Sequence, residues 1–218
     1  MTTTSPADHQ RYPLRTKVRV VLATENQGKV RELKSLIGDI ADVVDLKEFD
    51  LSLPEETGET FAENAIAKAA FVSQETGMIS IADDSGLEVH ALDGLPGVRT
   101  ARYAGEHATD AENRTKMLSV MRDVLDCDRG ARFVSVVAIV EPGKDAMHEI
   151  GTCTGSIAHA ERGENGFGYD SIFLLPDGRT MAELSAEEKN AISHRGEAMR
   201  TAVPCLREFL EKIESVSC

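Results

Sequence analysis

Two successive aspartates, Asp83 and Asp84, close an apolar run that begins at Met78. Neighbouring carboxylates repel unless a cation or hydrogen bonds offset them. The carboxyl end of a strand in an open α/β sheet is also where ligands bind. A turn capped by aspartate accounts for the pair equally well. A second acidic pair, Glu55-Glu56, falls in the turn PEETG and by itself reads as a solvated turn. Carboxylate oxygens are the ligands Mg²⁺ prefers, and one or two of them commonly join the ion to substrate phosphate.

Thr24, Glu25, Asn26, Gln27, Gly28 and Lys29 form a polar turn between an apolar run and a helix-spaced segment. A phosphate site wants amide donors at a helix N-terminus, a glycine for close approach and a lysine. All are present. The turn is not a Walker A loop, because Ala23 stands where its first glycine belongs and Val30 follows the lysine. A polar turn with one lysine is more often only a turn. Lys68 lies in an alanine-rich helical segment, where it is either solvated or turned to the sheet edge. Phe167, Gly168, Tyr169 and Asp170 lie in a glycine-rich loop. The phenylalanine there is either a plug at the loop base or a platform for a purine, where stacking is worth about 1–3 kcal/mol per base. Lys189, His194 and Arg195 cluster late in the chain. Such donors suit the acceptor that a 6-oxo purine presents where adenine presents an amino group, although each alone is ordinary surface.

The elements that must position these residues follow from periodicity. Val18–Ala23 is β-branched and apolar, a buried strand. Val30, Leu33, Leu36 and Ile37 then recur at helical spacing until Gly38. Val43–Leu46 reads as a strand, Glu59–Thr76 as a helix packed through Phe61, Ala65, Ala69 and Val72, and Met78–Ala82 as the strand that delivers the aspartates. Leu87–Val89 resumes a strand after a kink. A helix is expected from its N-cap Thr109 to Leu125, a long strand at Phe133–Val140, and neighbouring strands at His148–Cys153 and Ser156–His159. Ser171–Leu175 is strand-like. Ala186–Ala191 and Glu197–Ile213 complete the helices, with Pro204 a possible kink in the last. Alternating strands and helices imply an α/β fold, and the long central pair implies a mixed sheet.

The net charge of −13, from 24 basic and 37 acidic residues, argues against a polymeric nucleic acid partner. It leaves room for a small nucleotide, since a few lysines and one divalent ion overcome a diffuse negative field. The hydrophobic share of 41% suits an ordinary core. No apolar run approaches the roughly 20 residues of a membrane helix. The opening segment lacks a secretory pattern, and residues 1–16 read as a disordered or tag-like extension. Cys127, Cys153, Cys205 and Cys218 form no metal or disulfide pattern, which fits free thiols in the cytoplasm.

Taken together, the segments VVLATENQGKVREL, EETGETFAENAIAKA, IADDSGLEV, LPGVRTARYAG, GFGYDSIF and AELSAEEKNAISHRGEA resemble the inosine/xanthosine triphosphate pyrophosphatase family, in order and across nearly the whole chain. The resemblance implies an α/β fold of two lobes in residues 17–218, a central elongated mixed sheet flanked by helices, a substrate cleft between the lobes, and a homodimer. It implies hydrolysis of a non-standard purine nucleoside triphosphate to monophosphate and pyrophosphate with Mg²⁺. By position, Thr24–Lys29 match the first nucleotide-binding segment, Glu55 a metal ligand, Asp84 a metal ligand and proton acceptor, and Ser85 a substrate contact. Lys68 matches a lysine near the phosphates. Phe167–Asp170, Lys189, His194 and Arg195 match base-binding positions. On this reading Asp84 deprotonates the attacking water, assisted by Asp83 or Glu59. Two departures stand out: Glu25 replaces a small residue, and Ser171 replaces a proline, which is expected to loosen the loop. The rivals are a related pyrophosphatase for modified pyrimidines and a nucleotide-binding regulator that does not hydrolyse.

Overall fold

The computed structural model describes residues 17–216. The expected extension at residues 1–16 and Cys218 lie outside them. Strand β1 (Arg19–Leu22) leads through the polar turn into helix α1 (Gln27–Ile37), and β2 (Asp42–Asp45) returns beside β1. Helix α2 (Phe61–Thr76) and strand β3 (Ile79–Val89) follow. After a 3₁₀ turn at Gly97–Arg102 come α3 (Asp110–Val120), β4 (Gly130–Val140) and β5 (Met147–Ile157). The short β6 (Phe173–Leu174), α4 (Ala186–Ile192) and α5 (His194–Val216) close the chain.

The six strands form one mixed sheet in the order β2-β1-β3-β4-β5-β6. β1 pairs in parallel with β2 and β3, whereas β3, β4, β5 and β6 run antiparallel. Three apolar clusters cover it. Val20, Leu22, Ile81 and Ile139 pack under α1 and α5 on one face. Val21, Ala82, Val136 and Ala138 meet Ala65, Ala69 and Val72 of α2 on the other. At the far end Leu87, Phe133, Phe173 and Met117 of α3 form the third. The molecule is thus two lobes strung on one continuous sheet.

The expected kink in β3 is absent. Strand character continues through Asp83, Asp84, Ser85 and Gly86 because β4 pairs with every residue from Ser80 to Val89. The parallel partner stops much earlier, with Leu22 opposite Ile81. The aspartates therefore lie beyond the carboxyl end of β1 but inside β3. β5 is likewise one strand rather than two. α3 starts at the expected cap, Thr109, but ends at Val120 rather than Leu125. α5 begins earlier than expected, at His194, and continues across Pro204.

Candidate active site

A cavity of about 350 Å³ opens where β1 stops, lined from both lobes. That size suits a small-molecule ligand. Its floor is β3. Successive strand residues point to opposite faces of a sheet, so Asp83 and Asp84 part company. Asp84 points toward α2, where Lys68 Nζ donates to its Oδ1 at 2.9 Å and Asn64 Nδ2 to its Oδ2 at 3.3 Å. Asn64 and Lys68 are four residues apart, which puts both on one face of α2. That face can bury a lysine because small alanines let the helix lie close to the sheet. Lys68 also donates to Glu56 Oε1 at 2.6 Å and to the Asp83 carbonyl at 3.2 Å, so all three ammonium protons are used.

Asp83 points to the opposite face and is fully buried. Arg195 at 3.0 Å, Lys29 at 2.9 Å, Ser85 at 3.1 Å and the Ser135 hydroxyl all engage its carboxylate. Burial opposes its charge, but the Arg195 guanidinium and the Lys29 ammonium hold the carboxyl well below its ordinary value. Three donors meet its Oδ2 and the Ser135 hydroxyl meets its Oδ1, so Asp83, expected to assist proton transfer, stands here as the counter-ion between Arg195 and Lys29. Asp84 is shifted the other way. Burial raises it, the Lys68 and Lys29 charges pull it down, and the nearby Glu56 carboxylate helps leave it above the ordinary value. Glu59 is exposed and donates its amide to Glu63 outside the cavity wall.

Glu55, the expected metal ligand, is exposed and outside the cavity wall; its neighbour Glu56 is the carboxylate that meets Lys68 and Asp84. Burial opposes the charge of Glu56, and the Lys68 ammonium keeps its carboxyl below the ordinary value. Residues 51–58 carry no regular structure, so no sequence periodicity shows which glutamate faces inward.

The turn at Thr24–Lys29 is only partly arranged as expected. Thr24, Glu25, Asn26 and Lys29 line the cavity, while Gln27 is exposed outside it. Asn26 caps α1, its Oδ1 accepting from the amides of Gly28 (2.8 Å) and Lys29 (3.1 Å). Those amides already have a partner, and the cationic contribution comes from Lys29 itself. Glu25 accepts the Leu53 amide at 3.3 Å, at the cavity wall. Gly28 lies beneath Phe167: a Cβ there would sit 2.5 Å from the ring.

On the far wall, Lys189 bonds Glu32 at 2.7 Å and the Asp170 carboxylate. Arg195 bonds Glu32 as well as Asp83, and donates to Ser85 Oγ at 2.9 Å. Glu32, which the sequence did not single out, thus joins both cations to α1. Burial raises the Asp170 carboxyl despite Lys189, and this residue also accepts the Phe167 amide at 2.9 Å. Tyr169 is buried, with its hydroxyl donating to the Thr100 carbonyl at 2.9 Å. The His194 ring stacks on Phe133 at 4.7 Å. Burial, then the Arg195 charge, depress His194 well below 6.5, so the imidazole is neutral at pH 7. His194 Nδ1 and Arg195 Nε are buried without a hydrogen-bond partner among the described residues. Buried polar atoms are rarely left so, and both residues line the cavity.

Ser171, the second departure, is tied into its loop by two hydrogen bonds. Its hydroxyl donates to Glu161 at 2.9 Å, and its carbonyl accepts the Arg162 amide at 2.9 Å.

A family model described as the Ham1 family matches residues 20–205. The chain is 49% identical over 193 residues to a dITP/XTP pyrophosphatase of Photorhabdus laumondii, covering 87% of this chain and 98% of that protein. The dITP/XTP pyrophosphatase of Yersinia pestis is 48% identical over 194 residues, with the same 87% and 98% covered. A HAM1 protein from Coxiella burnetii superposes with a TM-score of 0.79 at 45% identity, covering 88% of this chain and 99% of that one. The Staphylococcus aureus Ham1 protein gives 0.74 at 43% identity, with 89% and 98% covered.

Proposed function

The chain belongs to the Ham1 family, and on that premise we propose that it is a nucleoside triphosphate pyrophosphatase. It hydrolyses non-standard purine nucleotides such as dITP, ITP and XTP to the monophosphate and pyrophosphate. One observation carries this reading: a single cavity joins the Asp84–Lys68–Glu56 cluster to the unpartnered Arg195 Nε and His194 Nδ1 beside Phe167.

The cluster suits a hard divalent cation. Two facing carboxylates share one ammonium, and the raised carboxyl of Asp84 marks an oxygen that wants more positive charge. Asp84 and Glu56 would hold Mg²⁺, with Glu55 one residue outward. When bound, the ion lowers the pKa of water and offsets charge on the phosphates. Lys29 presents its ammonium group to the phosphate oxygens, while Lys68 directs its three protons to Asp84, Glu56 and the Asp83 carbonyl. Asp84 accepts a proton from the attacking water as its oxygen bonds to the α-phosphorus; the bond from that phosphorus to the bridging oxygen breaks, and pyrophosphate leaves. Lys68 and Asn64 hold the Asp84 carboxylate in place throughout.

Base choice follows from unpaired donors. A 6-oxo group gives the Arg195 Nε–H an acceptor, whereas the amino group of adenine leaves it buried and unsatisfied. The reading also takes the protein to be a cytoplasmic homodimer acting on a small-molecule substrate. No helix among the described residues is long and apolar enough to cross a membrane.

Pyrophosphate release from dITP, XTP, ITP, GTP and ATP, with Mg²⁺ and with a chelator, tests the proposal. The expected outcome is a preference for dITP and XTP over ATP of roughly a hundredfold or more, abolished by the chelator. Equal rates on dITP and ATP would remove the base-selective reading, and binding of dITP without pyrophosphate release would make the protein a regulator.

A further inference from the structure

We infer that Asp110 and Arg114 of α3 are positioning residues for base selection, gripping the two backbone polar groups of Gly168 and so fixing the Phe167 ring. The inference rests on the proposed function above. Asp110 Oδ2 accepts the Gly168 amide at 2.8 Å, and Arg114 Nη1 donates to the Gly168 carbonyl at 2.9 Å. Side chains four residues apart share a helix face, and this spacing lets one helix hold both groups of a single residue. Arg114 is itself braced, with Nε donating to Glu161 at 2.8 Å, and Ser171 Oγ donates to the same glutamate oxygen at 2.9 Å. Asp110 lines the cavity.

Gly168 needs such a clasp. Its φ of +61° lies in the left-handed region, and a Cβ there would meet nothing within 4 Å. Glycine stands there for backbone freedom rather than for space, and the same freedom leaves the loop flexible unless something holds it. α3 is well placed to do so. Thr109 and Glu112 form a capping box at its start, and Asn113 bonds the Ala104 amide at 2.7 Å and the Ala101 carbonyl at 2.9 Å. The segment thus anchored also receives the Tyr169 hydroxyl at Thr100. With the Phe167 amide held by Asp170, the ring is fixed from both sides of its peptide. A preformed stacking platform lowers the ordering cost of binding the base and leaves the chemistry at Asp84, across the cavity, untouched.

The test compares the wild-type protein with D110A, R114A and D110N, measuring kcat and KM for dITP and dATP, calorimetric binding of dIMP, and melting temperature. D110A and R114A should raise KM for dITP about three- to tenfold, the span of a lost hydrogen bond. They should also weaken dIMP binding by a similar factor and narrow the dITP-to-dATP ratio, with kcat and melting temperature little changed. D110N keeps an oxygen for the Gly168 amide and should restore dITP affinity. Wild-type kinetics and dIMP binding in both alanine variants would overturn the clasp. So would an equal loss on both nucleotides together with a lower melting temperature. A wild-type protein that fails to cleave dITP would instead overturn the functional reading, while dIMP binding still reports on the clasp.

Discussion

Two adjacent aspartates have opposite fates because a strand turns them to opposite faces. Asp84 faces α2, keeps a raised carboxyl and opens to the cavity. Asp83 is buried between Arg195 and Lys29. Replacing them should give different failures. D84N should lose turnover while retaining its melting temperature and its binding of dIMP, since the amide still accepts from Lys68. D83N leaves two cations without their shared counter-ion, and breaking a buried ion pair costs about 3–5 kcal/mol, so its urea midpoint should fall sharply. Turnover by D84N near the wild-type rate would end the assignment of Asp84 as the proton acceptor. At this scale residue type was legible in the sequence but direction was not. The carboxylates, lysines and base-side cations were all visible as candidates. Which of Glu55 and Glu56 faces inward depends on an irregular segment, and Glu32 becomes conspicuous only when α1 is laid against α4 and α5. Asn64 was within reach, since it stands one helical turn before Lys68.

Elements meet at this site through glycines. Gly151 of β5 lies under the first turn of α5, where a Cβ would overlap the His194 carbonyl oxygen and the Ala198 amide nitrogen. Both obstacles are backbone and cannot rotate away. G151A should therefore cost about 1–3 kcal/mol, as overpacking does, and should raise KM for dITP by lifting His194 off β4 and Arg195 off β3. Gly28 meets only the Phe167 ring, a side chain that can move. G28A should cost less stability, while its displaced ring still raises KM. Melting curves and steady-state kinetics on the two variants separate these outcomes; equal stability losses would show that α5 yields as easily as the ring. The order of strands and helices was readable from periodicity, but several lengths were not. Asp83-Asp84-Ser85-Gly86 has poor strand propensity, and only the β4 ladder makes it strand. Likewise Gly155 looks like an interruption in β5, yet its lack of a side chain lets the Leu174 carbonyl of the β6 segment approach.

Across the whole molecule, the cavity exists because two lobes share a sheet whose parallel strand ends halfway. The gap left by β1 is spanned by charge rather than by apolar packing. Asp83 links to Arg195, Arg195 to Glu32, Glu32 to Lys189 and Lys189 to Asp170. His194 sits beside this chain as a neutral, buried imidazole, depressed by burial and by Arg195, against the pull of the Asp83 carboxylate. The sign of its effect on stability follows from linkage. Below the ordinary value of 6.5 an unfolded histidine takes a proton that the folded one refuses, so stability is full above that pH and is lost as pH falls. Asp83 acts in the same direction, but only below its ordinary 3.8. Asp84 and Asp170 are raised from 3.8 and act oppositely, because their folded forms hold protons that the unfolded chain has released. Among the shifted groups that lose stability as pH falls, His194 is the one whose ordinary value lies between pH 7 and pH 5. The urea midpoint of the wild-type protein should fall across that window, and H194Q, which has no proton to gain, should show a flatter dependence. Parallel slopes for the two proteins would mean that the imidazole is not held neutral, and the donor-lined wall proposed to read a 6-oxo purine would then carry an additional positive charge.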